Sequence, residues 1–285
     1  MLGLMLKRPS HHTPSNLETQ RIGILYAVLE YFAESDYDNF YRILSQENLQ
    51  RWSQNAVQPL QKVEVLSGDW GEVTGQMTQR HGVCYAVLNM ANAYCPGGGY
   101  KEGMVAQEEN MFRRTDCHFS LTDATVDPVT GLYHKHFTEL LEGRAGEVFL
   151  DIKQPRICIC GEEDLTRGDL GYRFLDAEVI FPFYELRAAA VDIFEAGGFD
   201  PAEMKRRIEA QLNTLIQKDV KHVVLSAFGC GAFGNPASAV AEIYAEAIQA
   251  RADAFEHIVF AIFNAGYGHD NFSPFESVFQ QKGLI

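Results

Sequence analysis

No apolar run in the 285 residues approaches the roughly 18 that a membrane-spanning helix needs, which argues against a helical membrane protein. The opening residues 1–8 are too short and wrongly ordered for a secretory signal, so the expected location is cytoplasmic. Basic residues are scarce: 24 Lys and Arg stand against 38 Asp and Glu, and the formal charge of -14 argues against a duplex nucleic acid surface built on phosphate neutralisation. A small anionic ligand stays open, because backbone amides at a helix start hold phosphate without basic side chains. CxxC pairs are absent. The six cysteines, Cys84, Cys95, Cys117, Cys158, Cys160 and Cys230, read as reduced thiols. Cys158 and Cys160 with His134 and His136 offer metal-type side chains, but the alternation over residues 156–160 more simply describes a strand, and neither metal nor cofactor is expected. No linker tract and no internal repeat divides the chain. Residues 1–60 are expected to form a helical extension packed on a core of residues 61–285.

What is present alternates. Ser15-Asn16-Leu17-Glu18 is a capping-box pattern, and Ile22, Leu25, Val28, Leu29 and Phe32 follow at helical spacing. Short β-rich runs lie at 62–66, 84–90, 156–160, 178–181, 222–228 and 257–263, with helical stretches at 201–218 and 236–250. Such alternation predicts a layered α/β fold with a largely parallel sheet flanked by helices. In the last of these helices Val240, Ile243, Tyr244, Ala247 and Ile248 make one apolar stripe; Asn235 is its expected cap and Pro236 its first residue.

Two glycine-rich loops each follow a strand. The first runs from Asn92 through Gly97-Gly98-Gly99 into Gln107-Glu108-Glu109, where a helix begins. Three consecutive glycines are entropically costly in ordered structure, which predicts that something approaches that backbone closely. A loop at the carboxyl end of an α/β strand is where ligands collect, although a solvated turn would account for one of these glycines. Adjacent carboxylates on a helix point about 100° apart, so Glu108 and Glu109 cannot flank one bond and would divide two tasks, gripping hydroxyls and exchanging a proton. The plainer alternative makes both helix-start residues, with Glu109 pairing to Arg113.

The second loop contains Gly229-Cys230-Gly231-Ala232-Phe233-Gly234 before a helix, and its exposed amides suit a diphosphate. It matches G-x-G-x-x-G by string. A dinucleotide fold is nevertheless disfavoured, because Gly234 precedes the cap and the next strand runs into Asn264 where an acidic ribose ligand belongs.

Asn92, the glycine triplet, the seven-residue spacer and Gln107-Glu108-Glu109 resemble the signature of bacterial-type poly(ADP-ribose) glycohydrolases of the macrodomain superfamily. Arg113-Arg114-Thr115, Ser120-Leu121 and the run from Gly229 to Pro236 resemble further segments of that family, and the likeness covers roughly residues 15–280. The resemblance implies a three-layer macrodomain-like fold and an ADP-ribose glycohydrolase. Glu109 would be the general acid and base at the ribose C1″, and Glu108 would hold ribose hydroxyls. Asn92, Gln107 and Gly97 to Gly99 would surround the distal ribose. Gly229, Cys230, Gly231, Ala232 and Gly234 would hold the diphosphate, Phe233 would press the ribose toward the acid, and Asp69 would read the adenine amino group, or else simply make a turn.

One stretch departs from that family. Where relatives carry a small-residue strand end followed by Pro-Asn, residues 161–187 hold Glu162-Glu163-Asp164, an insertion-like run and Pro182-Phe183-Tyr184-Glu185-Leu186-Arg187, and they are expected to border the pocket. The partner is therefore ADP-ribose or an ADP-ribosylated protein, with the linkage open. A hydrolase for a single side-chain linkage such as arginine, and a non-catalytic ADP-ribose reader, are the alternatives.

Overall fold

A computed structural model describes residues 15–33, 35–264 and 269–285, with the backbone alone for 35–39; the opening residues 1–8 lie outside them. The strands are β1 (Val63–Ser67), β2 (Ala86–Ala91), β3 (Phe149–Cys158), β4 (Phe181–Ala189), β5 (His222–Leu225) and β6 (His257–Ile262). The helices are α1 (Asn16–Ala33), α2 (Ser35–Ser53), α3 (Trp70–His81), α4 (Gln107–Arg114), α5 (Lys135–Leu141), α6 (Ile193–Ala196), α7 (Pro201–Gln217), α8 (Ala237–Gln249) and α9 (Phe272–Gln281).

The sheet runs β1-β6-β5-β2-β4-β3, parallel throughout except for the antiparallel edge strand β3. Period-two alternation sorts its side chains into two layers. Leu88, Leu186, Val223, Leu225, Ile258 and Phe260 face α7, α8 and α9, whereas Val87, Phe183, Val224 and Val259 face α1, α3 and α4. This is the layered, largely parallel arrangement that the alternation predicts, with the three layers that the resemblance implies.

The N-terminal capping box forms as its sequence prescribes: the Ser15 N–H donates to Glu18 Oε2 at 2.6 Å, and the Glu18 N–H to Ser15 Oγ at 3.2 Å. Arg21, Leu25, Val28 and Phe32 are the buried face of α1. Both N-terminal helices pack on the body, α1 over α4 and α2 over α3 and β4.

Several elements differ from expectation. The strand expected at 178–181 is β4, Phe181–Ala189; Pro182-Phe183-Tyr184-Glu185-Leu186-Arg187 therefore lies inside the sheet, and the cleft that its Tyr184 lines with Cys84 and His222 is at the strand starts, away from the glycine loops. Only 162–174 is an excursion, closed by bridges between Glu163 and Gly171 and between Cys160 and Phe174. It buttresses α1, since Glu163 pairs with Arg21 at 2.6 Å and accepts from Tyr172 at 2.7 Å. Among the described residues no helix is long and apolar enough to cross a membrane.

Candidate active site

Parallel strands end at one edge of the sheet, and both glycine loops leave from it. Strands β2 and β5 are neighbours, with Ala86 opposite Val223 and Val87 opposite Val224, so the loops from Asn92 and from Ser226 emerge side by side. On the other flank of β2, Ala91 pairs with Ala189 at the end of β4. A ligand crossing this edge meets the exits of β5, β2 and β4 in that order.

The helix α4 is only eight residues long, and its place is fixed by its first residue. Gln107 Oε1 accepts from the Met90 N–H at 2.9 Å and its Nε2 donates to the Leu88 carbonyl at 2.7 Å, so both polar ends of this side chain are spent on β2. Thr115 ends the helix in extended backbone, donating through Oγ1 to the Met111 carbonyl and accepting from the Cys117 N–H. Glu108 and Glu109 occupy the first turn, where the helix dipole favours negative charge.

The glycine triplet faces those two glutamates. Glu108 is buried, its Oε2 accepting from the Asn92 N–H at 2.7 Å and its Oε1 from the Gly97 N–H at 3.1 Å. Burial pushes its carboxyl well above the usual carboxylate range; the Asn92 N–H opposes this, Glu109 adds to it and Arg187 opposes it. Glu109 is half-buried: Oε1 accepts from the Gly99 N–H at 2.9 Å, while Oε2 is enclosed without a hydrogen-bond partner among the described residues. Gly98 stands at φ +58°, where a Cβ would come within 2.2 Å of Glu109 Oε1. Its N–H donates to the Cys95 carbonyl at 2.9 Å. All three triplet amides are thus used inside the loop, and the triplet's first task is to seat the glutamates.

Asn92 is half-buried, its Oδ1 accepting from the Tyr94 and Cys95 N–H groups at 2.8 Å each. The pairing of Glu109 with Arg113 that the plainer alternative invokes does not form among the described residues. Arg113 is buried and donates to the Met104 carbonyl at 2.7 Å and to the Tyr172 hydroxyl at 3.2 Å.

The second loop presents its backbone. The N–H groups of Gly231, Ala232 and Phe233 make no hydrogen bond to the described residues, whereas Cys230, Gly234 and Asn235 close turns to Ala227, Gly231 and Gly229. Gly231 and Ala232 are exposed, Cys230 is buried, and Phe233 is half-buried against the α7/α8 layer. Gly229, at φ +72°, lies so near Ala190 that a Cβ would come within 2.5 Å of that residue's own Cβ. Asn235 does not cap α8 with its side chain: Nδ2 donates to the Val191 and Gly229 carbonyls at 2.8 and 2.9 Å, and the helix begins at Ala237 after Pro236.

Asp69 sits at the end of β1 as the side-chain cap of α3, accepting at Oδ1 from Gly71 and Glu72 and from Arg114 Nη1 at 2.6 Å. Those bonds are what the turn reading requires. Gly71 lies against the Arg114 guanidinium, which also covers Trp70 at 4.7 Å.

Beneath the glutamates lies a charged layer that sequence reasoning missed. Arg187 donates to both oxygens of Glu185 at 2.8 Å each, and to Tyr133 and Ser120 at 2.8 and 3.0 Å. Asn89 donates to Glu185 at 2.8 Å and Arg156 pairs with it at 3.3 Å. Burial alone would raise the Glu185 carboxyl, but Arg187 and Arg156 outweigh it and hold the group below its ordinary value. Further along the chain, Ala190 leaves room for the close approach of Gly229.

Residues 28–140 match the microbial-type PARG catalytic domain family, a span that includes both the glycine triplet and the glutamate pair. Among solved structures, the poly(ADP-ribose) glycohydrolase of Thermomonospora curvata is similar at TM-score 0.63 and 20% identity, over 92% of this chain and 100% of that one. The same organism's enzyme bound to the inhibitor ADP-HPD is similar at TM-score 0.62 and 20% identity, over 91% and 99%. The Deinococcus radiodurans poly(ADP-ribose) glycohydrolase in complex with ADP-ribose follows at TM-score 0.58 and 21% identity, over 83% and 91%. No curated protein matches the sequence. Residues 28–140 are thus similar to the microbial-type PARG catalytic domain, and the chain has the fold of these poly(ADP-ribose) glycohydrolase structures.

Proposed function

We propose that the chain is an ADP-ribose glycohydrolase that cleaves the C1″ bond of an ADP-ribosyl group with Glu109 as the acid and base. The observation that carries this reading is the state of Glu109. One oxygen is fixed by the Gly99 N–H and the other is enclosed without a partner among the described residues, at the sheet edge where the amides of Gly231, Ala232 and Phe233 also meet no described partner. Partnerless buried carboxylate oxygen is costly in a folded protein, and a ligand hydroxyl or leaving oxygen would satisfy it.

The diphosphate lies over Gly229 to Gly234, held by main-chain N–H groups, and the distal ribose lies at the exit of β2 between Asn92 and Glu109, with Phe233 beside it. Glu108, whose oxygens already hold two loop amides, fixes the loop and presents its outer edge to ribose hydroxyls. As the C1″–oxygen bond breaks, Glu109 delivers its proton to the leaving oxygen. It then takes a proton from the water whose oxygen bonds to C1″, which restores the acid and yields free ADP-ribose. The diphosphate's negative charge stabilises the cationic character at C1″. Asp69, already bonded to the α3 amides and to Arg114, stands where the adenine end of such a ligand would pass. The part of the 1–60 extension that is described, α1 and α2, stiffens the core that follows it, and the enzyme works in the cytoplasm.

The test is chromatography of ADP-ribose released from poly(ADP-ribose) and from ADP-ribosylated protein, with calorimetry of ADP-ribose binding. Release supports the hydrolase. Binding without release on any linkage makes the chain a reader, and absence of both refutes the site.

A further inference from the structure

The segment that follows β4 is stitched to the second glycine loop at three points. The Asn235 side chain holds the Val191 carbonyl, the Ile193 N–H donates to the Phe233 carbonyl at 3.2 Å, and the Phe194 ring lies against Gly234. That last contact is close: at Gly234, φ +68°, a Cβ would come within 2.6 Å of Phe194 Cζ. Asp192 caps the short helix α6 by accepting from the Phe194 N–H at 2.9 Å, and the Gly198 N–H closes its far end onto Ile193. The backbone of Phe194 is fixed by the α6 turn and its ring rests against Gly234, while the residue is 75% exposed. An aromatic ring on an anchored backbone, with one side against the loop and most of its surface in water, offers a face for stacking at a reduced ordering cost.

Its position gives that surface a direction. In the proposed pose the diphosphate covers the exit of β5 and the scissile C1″ lies at the exit of β2. The adenosine end therefore runs toward β6 and β1, and whatever is attached at C1″ leaves on the side of β4, where residues 190–194 emerge. In a polymer of ADP-ribose the leaving oxygen belongs to the ribose of the neighbouring adenosine, so that unit's adenine is the first flat group beyond the cleaved bond. A modified protein side chain brings no such ring.

We infer that Phe194 is a specificity-determining residue, a stacking platform for the adenine of the adjoining unit that makes poly(ADP-ribose) the preferred substrate. This rests on the hydrolase reading above. Stacking of a base on an aromatic side chain is worth about 1–3 kcal/mol, which corresponds to roughly a five- to hundredfold effect.

The experiment compares wild type, Phe194→Ala and Phe194→Trp on poly(ADP-ribose) and on singly ADP-ribosylated protein, with ADP-ribose affinity measured for each. The expected result is a fall of that size in ADP-ribose release by Phe194→Ala from the polymer alone, with recovery in Phe194→Trp and unchanged ADP-ribose affinity. An equal fall on both substrates would show that Phe194 only braces the second loop, and no fall on the polymer would remove it from recognition; either overturns the inference. A wild-type protein that releases nothing from either substrate would instead overturn the hydrolase reading itself.

Discussion

Gly98→Ala places a methyl group where the structure has no room for one. Two effects follow from the coordinates. Backbone at φ +58° is left-handed, and moving a residue with a Cβ into that region costs about 1–2 kcal/mol. The new Cβ would also lie 2.2 Å from Glu109 Oε1 and 3.3 Å from Glu108 Oε2. Ordinary contact requires more than 3 Å, so the Glu109 carboxylate must retreat by roughly 1 Å, a misplacement that can cost on the order of a hundredfold in rate. It cannot swing aside freely, because Oε1 is tied to Gly99 and Oε2 is enclosed. The variant should therefore remain folded, with its melting temperature lowered by about 2–8 °C. Its kcat for ADP-ribose release should drop about a hundredfold, and ADP-ribose affinity, carried by the second loop, should change far less. Stopped-time chromatography and calorimetry on the same preparation separate these quantities. Wild-type kcat in folded Gly98→Ala would refute the claim that the glycine triplet exists to seat the acid.

Gly231→Ala is the complementary case, because its backbone is not left-handed and a Cβ there meets nothing within 4 Å; thermal stability should hold or rise slightly while calorimetric affinity for ADP-ribose falls, and unchanged affinity would place the diphosphate elsewhere. A pH prediction concerns His257, buried between Tyr85 and Glu64, whose burial lowers its pKa from 6.5 to about 4 against the pull of Glu64. A depressed folded-state pKa contributes stability that is complete above pH 6.5 and lost as pH falls toward 4. The stability advantage of wild type over His257→Gln in urea unfolding should thus narrow across that window, and a constant difference would contradict the assignment.

Much of the fold was legible where residue pattern and burial agree. The stripe of Val240, Tyr244, Ala247 and Ile248 gave α8, and the capping box gave the start of α1. β4 was misplaced because Pro182, Glu185 and Arg187 look wrong for a central strand. Pro182 lies before the ladder with β2 begins at Tyr184, and the two charges cancel each other inside the sheet. α3 was missed because Gly71 and Gly75 interrupt the row formed by Trp70, Val73 and Met77; the two glycines are explained by the Arg114 guanidinium and the Phe181 ring that press on them. At the candidate site, strand-end position and spacing identified both loops and the glutamate pair. Which amides are open was not legible, since that depends on side chains reaching across from α4: Glu108 and Glu109 occupy the N–H groups of Asn92, Gly97 and Gly99, whereas those of Gly231, Ala232 and Phe233 meet no described residue. Gln107, expected at the ligand, proves to spend both polar ends on β2, a role that only the packing of α4 against that strand could show.

The central claim is that Glu109 moves the catalytic proton, and Glu109→Gln tests it most directly. Glutamine keeps the reach of the side chain and can still accept from the Gly99 N–H, but it can neither deliver nor take the proton, a step worth roughly 10²–10⁴ in rate. ADP-ribose release by Glu109→Gln should fall by that factor while calorimetric affinity for ADP-ribose is retained. Release at the wild-type rate would contradict the account.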